Sequence, residues 1–162
     1  MVAPKPVGLE PSKAELGAMD LALEQARAAA AHGDVPVGAV VLVGDEVLAQ
    51  RHNERELRND PTAHAEMLAL RDAAEALGSW RLTGASLVVT LEPCAMCAGA
   101  AVAARLQHLV FGAADPKMGA AGSLYNLCSD PRLNHEITVT GGVNGEAVEE
   151  MMAAFFEGRR SR

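Results

Sequence analysis

Two short clusters of reactive side chains stand about one βα unit apart in this chain: His64-Ala65-Glu66 and Pro93-Cys94-Ala95-Met96-Cys97. Together they offer one imidazole, two thiols three residues apart and a carboxylate. Imidazole and thiolate are the donors that suit Zn²⁺. Zinc normally takes four ligands, so three protein donors leave one position for water, which is the arrangement of a catalytic site. Two thiolates and a neutral imidazole balance the ion's charge, and a water in the open position can reach a pKa of roughly 7. Such a site makes hydroxide at neutral pH. Glu66 follows His64 by two residues, about 200° around an ideal helix. It is therefore expected beside the water, as a proton shuttle, and not on the metal.

These groups need elements that bring them to one place. Cys94 and Cys97 fall on one face at the start of a helix, where free backbone N–H groups and the helix dipole favour thiolate. The apolar patterning predicts a helix over 14–32, stopped by Gly33. Strands are expected over 35–43 and 46–50, joined at Gly44-Asp45. Thr62 is a suitable N-cap for a helix over 62–77, with Pro61 before it. Residues 87–91 read as a strand and 94–105 as a helix rich in small residues. A further strand is expected over 109–113, a loop over 119–131, a last strand over 137–140 and a last helix over 146–156. Helices alternating with short apolar strands predict an α/β fold, a three-layer α/β/α sandwich with a mixed central sheet. In that arrangement the helix starts at His64 and Cys94 face the same sheet edge.

At 162 residues, 49% hydrophobic and 22% charged, the chain is sized for one globular domain. That domain is expected over 13–162, behind a flexible extension, 1–12, that carries Pro4, Pro6 and Pro11. The extension has no apolar h-region and the chain has no apolar run long enough to span a bilayer, so a cytoplasmic location and no membrane partner are expected. Three cysteines, two of them a close pair, argue for metal or redox chemistry and against a disulfide framework. The net charge of −7 and the aromatic content of 3% argue against nucleic-acid binding taken alone. Arg159, Arg160 and Arg162, just after Phe155-Phe156, run the other way.

His-x-Glu followed by Pro-Cys-x-x-Cys is the signature of the zinc nucleobase deaminases. The likeness reaches further, through Val35-Pro36-Val37-Gly38-Ala39-Val40, Asp60 to Glu66, Trp80-Arg81-Leu82, Val89 to Cys94, Gly119 to Ser123, Asn134-His135 and Phe155-Phe156. Over residues 14 to 160 the chain resembles the bacterial tRNA-specific adenosine deaminases, of the zinc-dependent cytidine/deoxycytidylate deaminase superfamily. The resemblance implies a cytidine-deaminase-like fold, one zinc per subunit and a homodimer. It implies hydrolytic conversion of the wobble adenosine of a tRNA, an arginine tRNA, to inosine, with the anticodon stem-loop as partner. Carried over by position, His64, Cys94 and Cys97 hold zinc and Glu66 moves the proton. Asn53 hydrogen-bonds the flipped nucleoside, Asp115 and Lys117 meet the anticodon loop, and Phe156 and Arg159 lie in a C-terminal segment that packs over the RNA.

Two other readings compete. A deaminase of a free base or nucleoside, such as guanine or cytosine, keeps the same metal and glutamate and differs in the outer loops; the acidity of the chain favours it. A structural zinc module would close the site with Cys128 as fourth ligand. Trp80 is expected to be a packing residue, and His32, His108 and His135 have no partner that the sequence identifies.

Overall fold

The structure is a computed structural model that describes residues 9–161. Five strands form one sheet in the order β2-β1-β3-β4-β5: β1 Gly38–Val43, β2 Glu46–His52, β3 Ala85–Leu91, β4 His108–Ala113 and β5 Thr138–Thr140. β1 runs antiparallel to both β2 and β3, while β4 is parallel to β3 and to β5. All strands but β1 therefore point the same way.

The helices are α1 Lys13–Ala31, α2 Arg55–Arg58, α3 Ala65–Leu77, α4 Ala95–Ala103 and α5 Gly145–Arg160. β1, β3 and β4 are apolar on both faces, and successive residues supply opposite layers. Ala39, Val41, Leu87, Val89, Leu109 and Phe111 pack with α3 and α4. Val40, Leu42, Val88 and Val110 pack with Met19, Ala22 and Leu23 of α1 and Val148 of α5. The result is the expected α/β/α sandwich with a mixed sheet.

Gly38 lets α1 come close to β1: a Cβ there would lie 1.9 Å from the Ala22 carbonyl oxygen. Nearer the start of α1, the carboxylate of Glu15 is buried and joins α1 to β3 and β4. It accepts hydrogen bonds from Ser86 Oγ at 2.7 Å, His108 Nδ1 at 2.7 Å and the Ser12 N–H at 2.9 Å. Ser12 and Glu15 form a reciprocal capping box at the start of α1.

Of the expected 1–12 extension, residues 1–8 lie outside the described residues. Leu9 is tied to the sheet, its carbonyl accepting the Thr140 hydroxyl at 2.8 Å, and Ser12 caps α1.

Three local expectations change. The first strand begins at Gly38, because Val35 turns back: its carbonyl accepts from the Val37 N–H and from Asn53 Nδ2. Thr62 does not cap α3. Its N–H and hydroxyl both go to Asp60 Oδ1 at 2.8 Å, and the Ala63 carbonyl accepts the Glu54 N–H, so these residues cannot wind into the helix. His64 takes the N-cap position instead. The short helix α2 was not expected; buried Asp34 caps it, accepting from the Glu56 and Leu57 N–H groups.

Candidate active site and metal centre

Because β2 and β3 are parallel, the starts of α3 and α4 fall at the same edge of the sheet. His64 and Cys94 are the N-cap residues of these helices, and Cys97 stands one turn inside α4. His64 Nδ1 lies 3.5 Å from Cys97 Sγ and 3.7 Å from Cys94 Sγ. The three donor atoms all sit within 4.8 Å of one another. Zinc–sulfur bonds near 2.3 Å and zinc–nitrogen bonds near 2.0–2.1 Å, set tetrahedrally, require an S···N separation of about 3.5 Å. The residues present fit that ion, and among the described residues they form the one such cluster.

The electrostatics agree. A hydrogen bond from Cys97 outweighs burial and, with help from His64, pulls the Cys94 thiol down to about 3. The same contact, with burial and the Glu66 charge, pushes the Cys97 thiol up. Two thiols thus share one proton, which a divalent cation would displace. Cys128 is fully buried in the apolar core and is not in the cluster; burial, with the Glu92 charge, raises its thiol to about 12. The closed structural site is therefore not formed.

Glu66 is 4% exposed, on the first turn of α3 with His64, Cys94 and Cys97 as its charged and polar neighbours. Burial raises its carboxyl above the ordinary carboxylate range, and the Cys94 charge adds to this. Such a shift suits a group that must both take and give a proton.

Over the cluster lies a cavity of about 470 Å³, with Val35, Val37 and Asn53 on one side and Ala114, Asp115, Lys117 and Met118 on another. Met152 and Phe156 of α5 close it. Asn53 is 5% exposed. Its Oδ1 accepts the Ala65 N–H at 2.9 Å and its Nδ2 donates to the Val35 carbonyl at 3.0 Å, leaving one amide hydrogen for a ligand.

The remaining expected residues divide. Asp115, Lys117 and Phe156 are brought to the cavity. Arg159 is not among its lining residues; its guanidinium donates to the Gly33 carbonyl at 2.7 Å and lies 4.8 Å above the Phe155 ring, holding α5 against the turn after α1. Arg162 lies outside the described residues. Trp80 is not packed away: it is 60% exposed between the guanidinium groups of Arg81 and Arg105, at 4.8 and 5.9 Å. His108 and His135 have partners that sequence did not suggest, namely Glu15 with Thr140, and the Leu106 carbonyl. Arg55, on unpredicted α2, also lines the cavity, as does buried Glu92. The sequence offered two signals for Glu92, a charge at the end of an apolar strand and its place in the matching stretch Val89 to Cys94.

A base-sized cavity above a three-donor metal site and a buried carboxyl defines a hydrolytic deaminase of nucleobases. Residues 14–160 match the profile of the MafB19-like deaminases. The tRNA-specific adenosine deaminase of Bacillus subtilis is 48% identical over 144 residues, 89% of each chain. That of Haemophilus influenzae is 46% identical over 144 residues, 88% of this chain and 83% of its own. A solved structure from studies of A-to-I editing by tRNA:A34 deaminases at the wobble position of transfer RNA superposes with a TM-score of 0.81 at 44% identity, over 83% of this chain and 98% of that one. The chain belongs to the MafB19-like deaminase family and, within it, to the tRNA-specific adenosine deaminases. The guanine deaminase of Nitrosomonas europaea, at 24% identity and a TM-score of 0.76 over 95% of this chain and 89% of its own, shares the fold.

Proposed function

We propose that this protein hydrolyses the wobble adenosine of a tRNA anticodon, in an arginine tRNA, to inosine and ammonia. The observation that carries the reading is the convergence of His64, Cys94 and Cys97 near buried Glu66, with His64, Cys94 and Glu66 lining a cavity sized for one base. His64, Cys94 and Cys97 would hold a zinc ion, which would supply the Lewis acidity that makes water acidic near neutral pH. Glu66 takes a proton from the attacking water as its oxygen adds to C6 of the purine and passes it to N1; it then takes the proton of the new C6 hydroxyl and gives it to the amine, so that the C6 carbonyl forms as the C6–N bond breaks and ammonia leaves. Asn53 offers its free amide hydrogen to the flipped nucleoside and keeps the helix start in place.

The loop and helix that rim the cavity support a polynucleotide over a free base. Lys117 and Arg55 stand at the mouth of an otherwise acidic chain, with Arg159 and Arg160 on the adjoining helix. They supply local attraction for phosphate despite the net charge of −7. Phe156, 39% exposed, offers a ring for a neighbouring base. Arg159 would reach RNA only by releasing Gly33. The large exposed side chains Met118, Leu124, Tyr125 and Leu133, all within one segment, support a homodimer. Among the described residues no helix is long and apolar enough to cross a membrane; a tRNA substrate and reduced metal-binding thiols support a cytoplasmic reading.

The test is an inosine assay on an arginine-type anticodon stem-loop with a wobble adenosine, run beside free adenosine, guanine and cytidine. Conversion of the stem-loop alone is expected. Conversion of a free base but not the stem-loop would overturn the reading.

A further inference from the structure

Glu92 ends β3, immediately before Pro93 and Cys94, and is 3% exposed. Four donors converge on its carboxylate. Oε1 accepts the Asp115 N–H at 3.2 Å and the Ser123 hydroxyl; Oε2 accepts the Ala121 and Ser123 N–H groups, each at 3.1 Å. None of these donors is a cation. A buried carboxylate held only by neutral dipoles is stable only while those dipoles stay aimed at it.

The donors come from the two ends of one loop. Within it, Asp115 Oδ1 accepts the Lys117 and Met118 N–H groups and the Asp115 carbonyl accepts the Gly119 N–H at 2.8 Å. Gly119 must lack a side chain: a Cβ there would lie 2.2 Å from Glu92 Oε2 and 2.5 Å from the Asp115 carbonyl oxygen. On the strand side, the Glu92 N–H donates to the Ala113 carbonyl at 2.9 Å and the Pro93 carbonyl accepts the Ala120 N–H at 2.8 Å. Cys94 itself bridges to Gly119. The segment that puts Asp115, Lys117 and Met118 at the cavity thus hangs on the strand end that presents a metal ligand.

We propose that Glu92 is a positioning residue for substrate, its carboxylate clamping both ends of the 115–123 loop so that the loop's contacts stand at a fixed height over the metal site. The proposal rests on the deaminase reading above for its substrate, but not for the clamp itself. Those loop contacts bind substrate and take no part in the proton transfer of Glu66. Losing the clamp therefore removes binding common to ground and transition states, which raises KM and spares kcat.

The test uses Glu92→Gln, whose amide nitrogen would face N–H groups that need an acceptor. Ser123→Ala removes one donor and leaves the backbone intact, and Val110→Ala, in the opposite core layer, serves as a control for lost stability. Expected for Glu92→Gln are faster amide hydrogen exchange confined to 115–123, unchanged zinc content and a KM for the stem-loop raised about tenfold, near 1.4 kcal/mol, with kcat nearly unchanged. Ser123→Ala should shift the same quantities less. Unchanged exchange over 115–123 in both variants, or an equal rise in KM in Val110→Ala, would overturn the proposal. If the wild-type protein leaves the stem-loop unconverted, the substrate reading fails, and the exchange measurement still decides the clamp.

Discussion

Asn53 Oδ1 accepts the N–H of Ala65 at 2.9 Å, the residue between His64, one of the three candidate metal donors, and Glu66, the proposed proton carrier. The side chain expected to meet substrate therefore also fixes the helix start that presents both. Asn53→Ala should leave the Ala65 N–H unsatisfied and buried, costing about 1–3 kcal/mol. The checks are a lower Tm by calorimetry together with a loss in kcat/KM that exceeds the loss of folded protein. A variant with wild-type stability would remove this double role.

Glu66→Ala should bind one zinc per chain yet lose turnover by ~10²–10⁴-fold, the usual contribution of general acid–base work. Metal analysis beside single-turnover inosine formation tests this. Full activity in that variant would end the mechanism.

Zinc should raise Tm and its removal lower it, because two thiols and an imidazole are held within 4.8 Å of one another in the folded chain and an ion bound there would stabilise that state. Titrating a chelator in a thermal melt, then restoring zinc, reads the effect. Cys94→Ala should show the low Tm with or without zinc, whereas Cys128→Ala should keep both zinc and activity.

Acid should unfold the protein partly through Glu15. Burial opposes its ionisation, but hydrogen bonds from Ser86, the Ser12 N–H and His108 win, so its carboxyl lies below the ordinary value of 4.5. A depressed folded value means that the contribution is full above the ordinary value and is lost as pH falls below it. Glu15→Gln should cost about 1.5–3 kcal/mol at neutral pH, the usual contribution of hydrogen bonds to a charged group. The gap between Tm curves of variant and wild type should then narrow between pH 5 and pH 3, as order-of-magnitude limits for a carboxyl of this kind.

Gly38→Ala should destabilise without touching the site. The new methyl would meet the Ala22 carbonyl at 1.9 Å and the Ala26 nitrogen at 2.8 Å, forcing α1 off β1 at about 1–3 kcal/mol, the range for overpacking. Urea unfolding should show a lower midpoint, with kcat of the folded fraction preserved.

The sequence by itself picked out the candidate donors His64, Cys94 and Cys97, the candidate shuttle Glu66 and the layer order. Each of these is a local pattern: Cys94 and Cys97 come together at one helix start, His64 and Glu66 stand two residues apart at another, and central strands with apolar residues on both faces require helices on both sides. Only the tertiary structure decided the supports. His64 became the N-cap because Asp60 and Glu54 claimed Thr62 and Ala63. Glu15 meets His108 across 93 positions, and Glu92 meets Ser123 across 31. Trp80 stayed in solvent between two arginines and Arg159 became a strut. Such contacts depend on strand order, register and how closely helices approach the sheet. Residue spacing along a chain carries no record of which distant polar group will fill a buried acceptor.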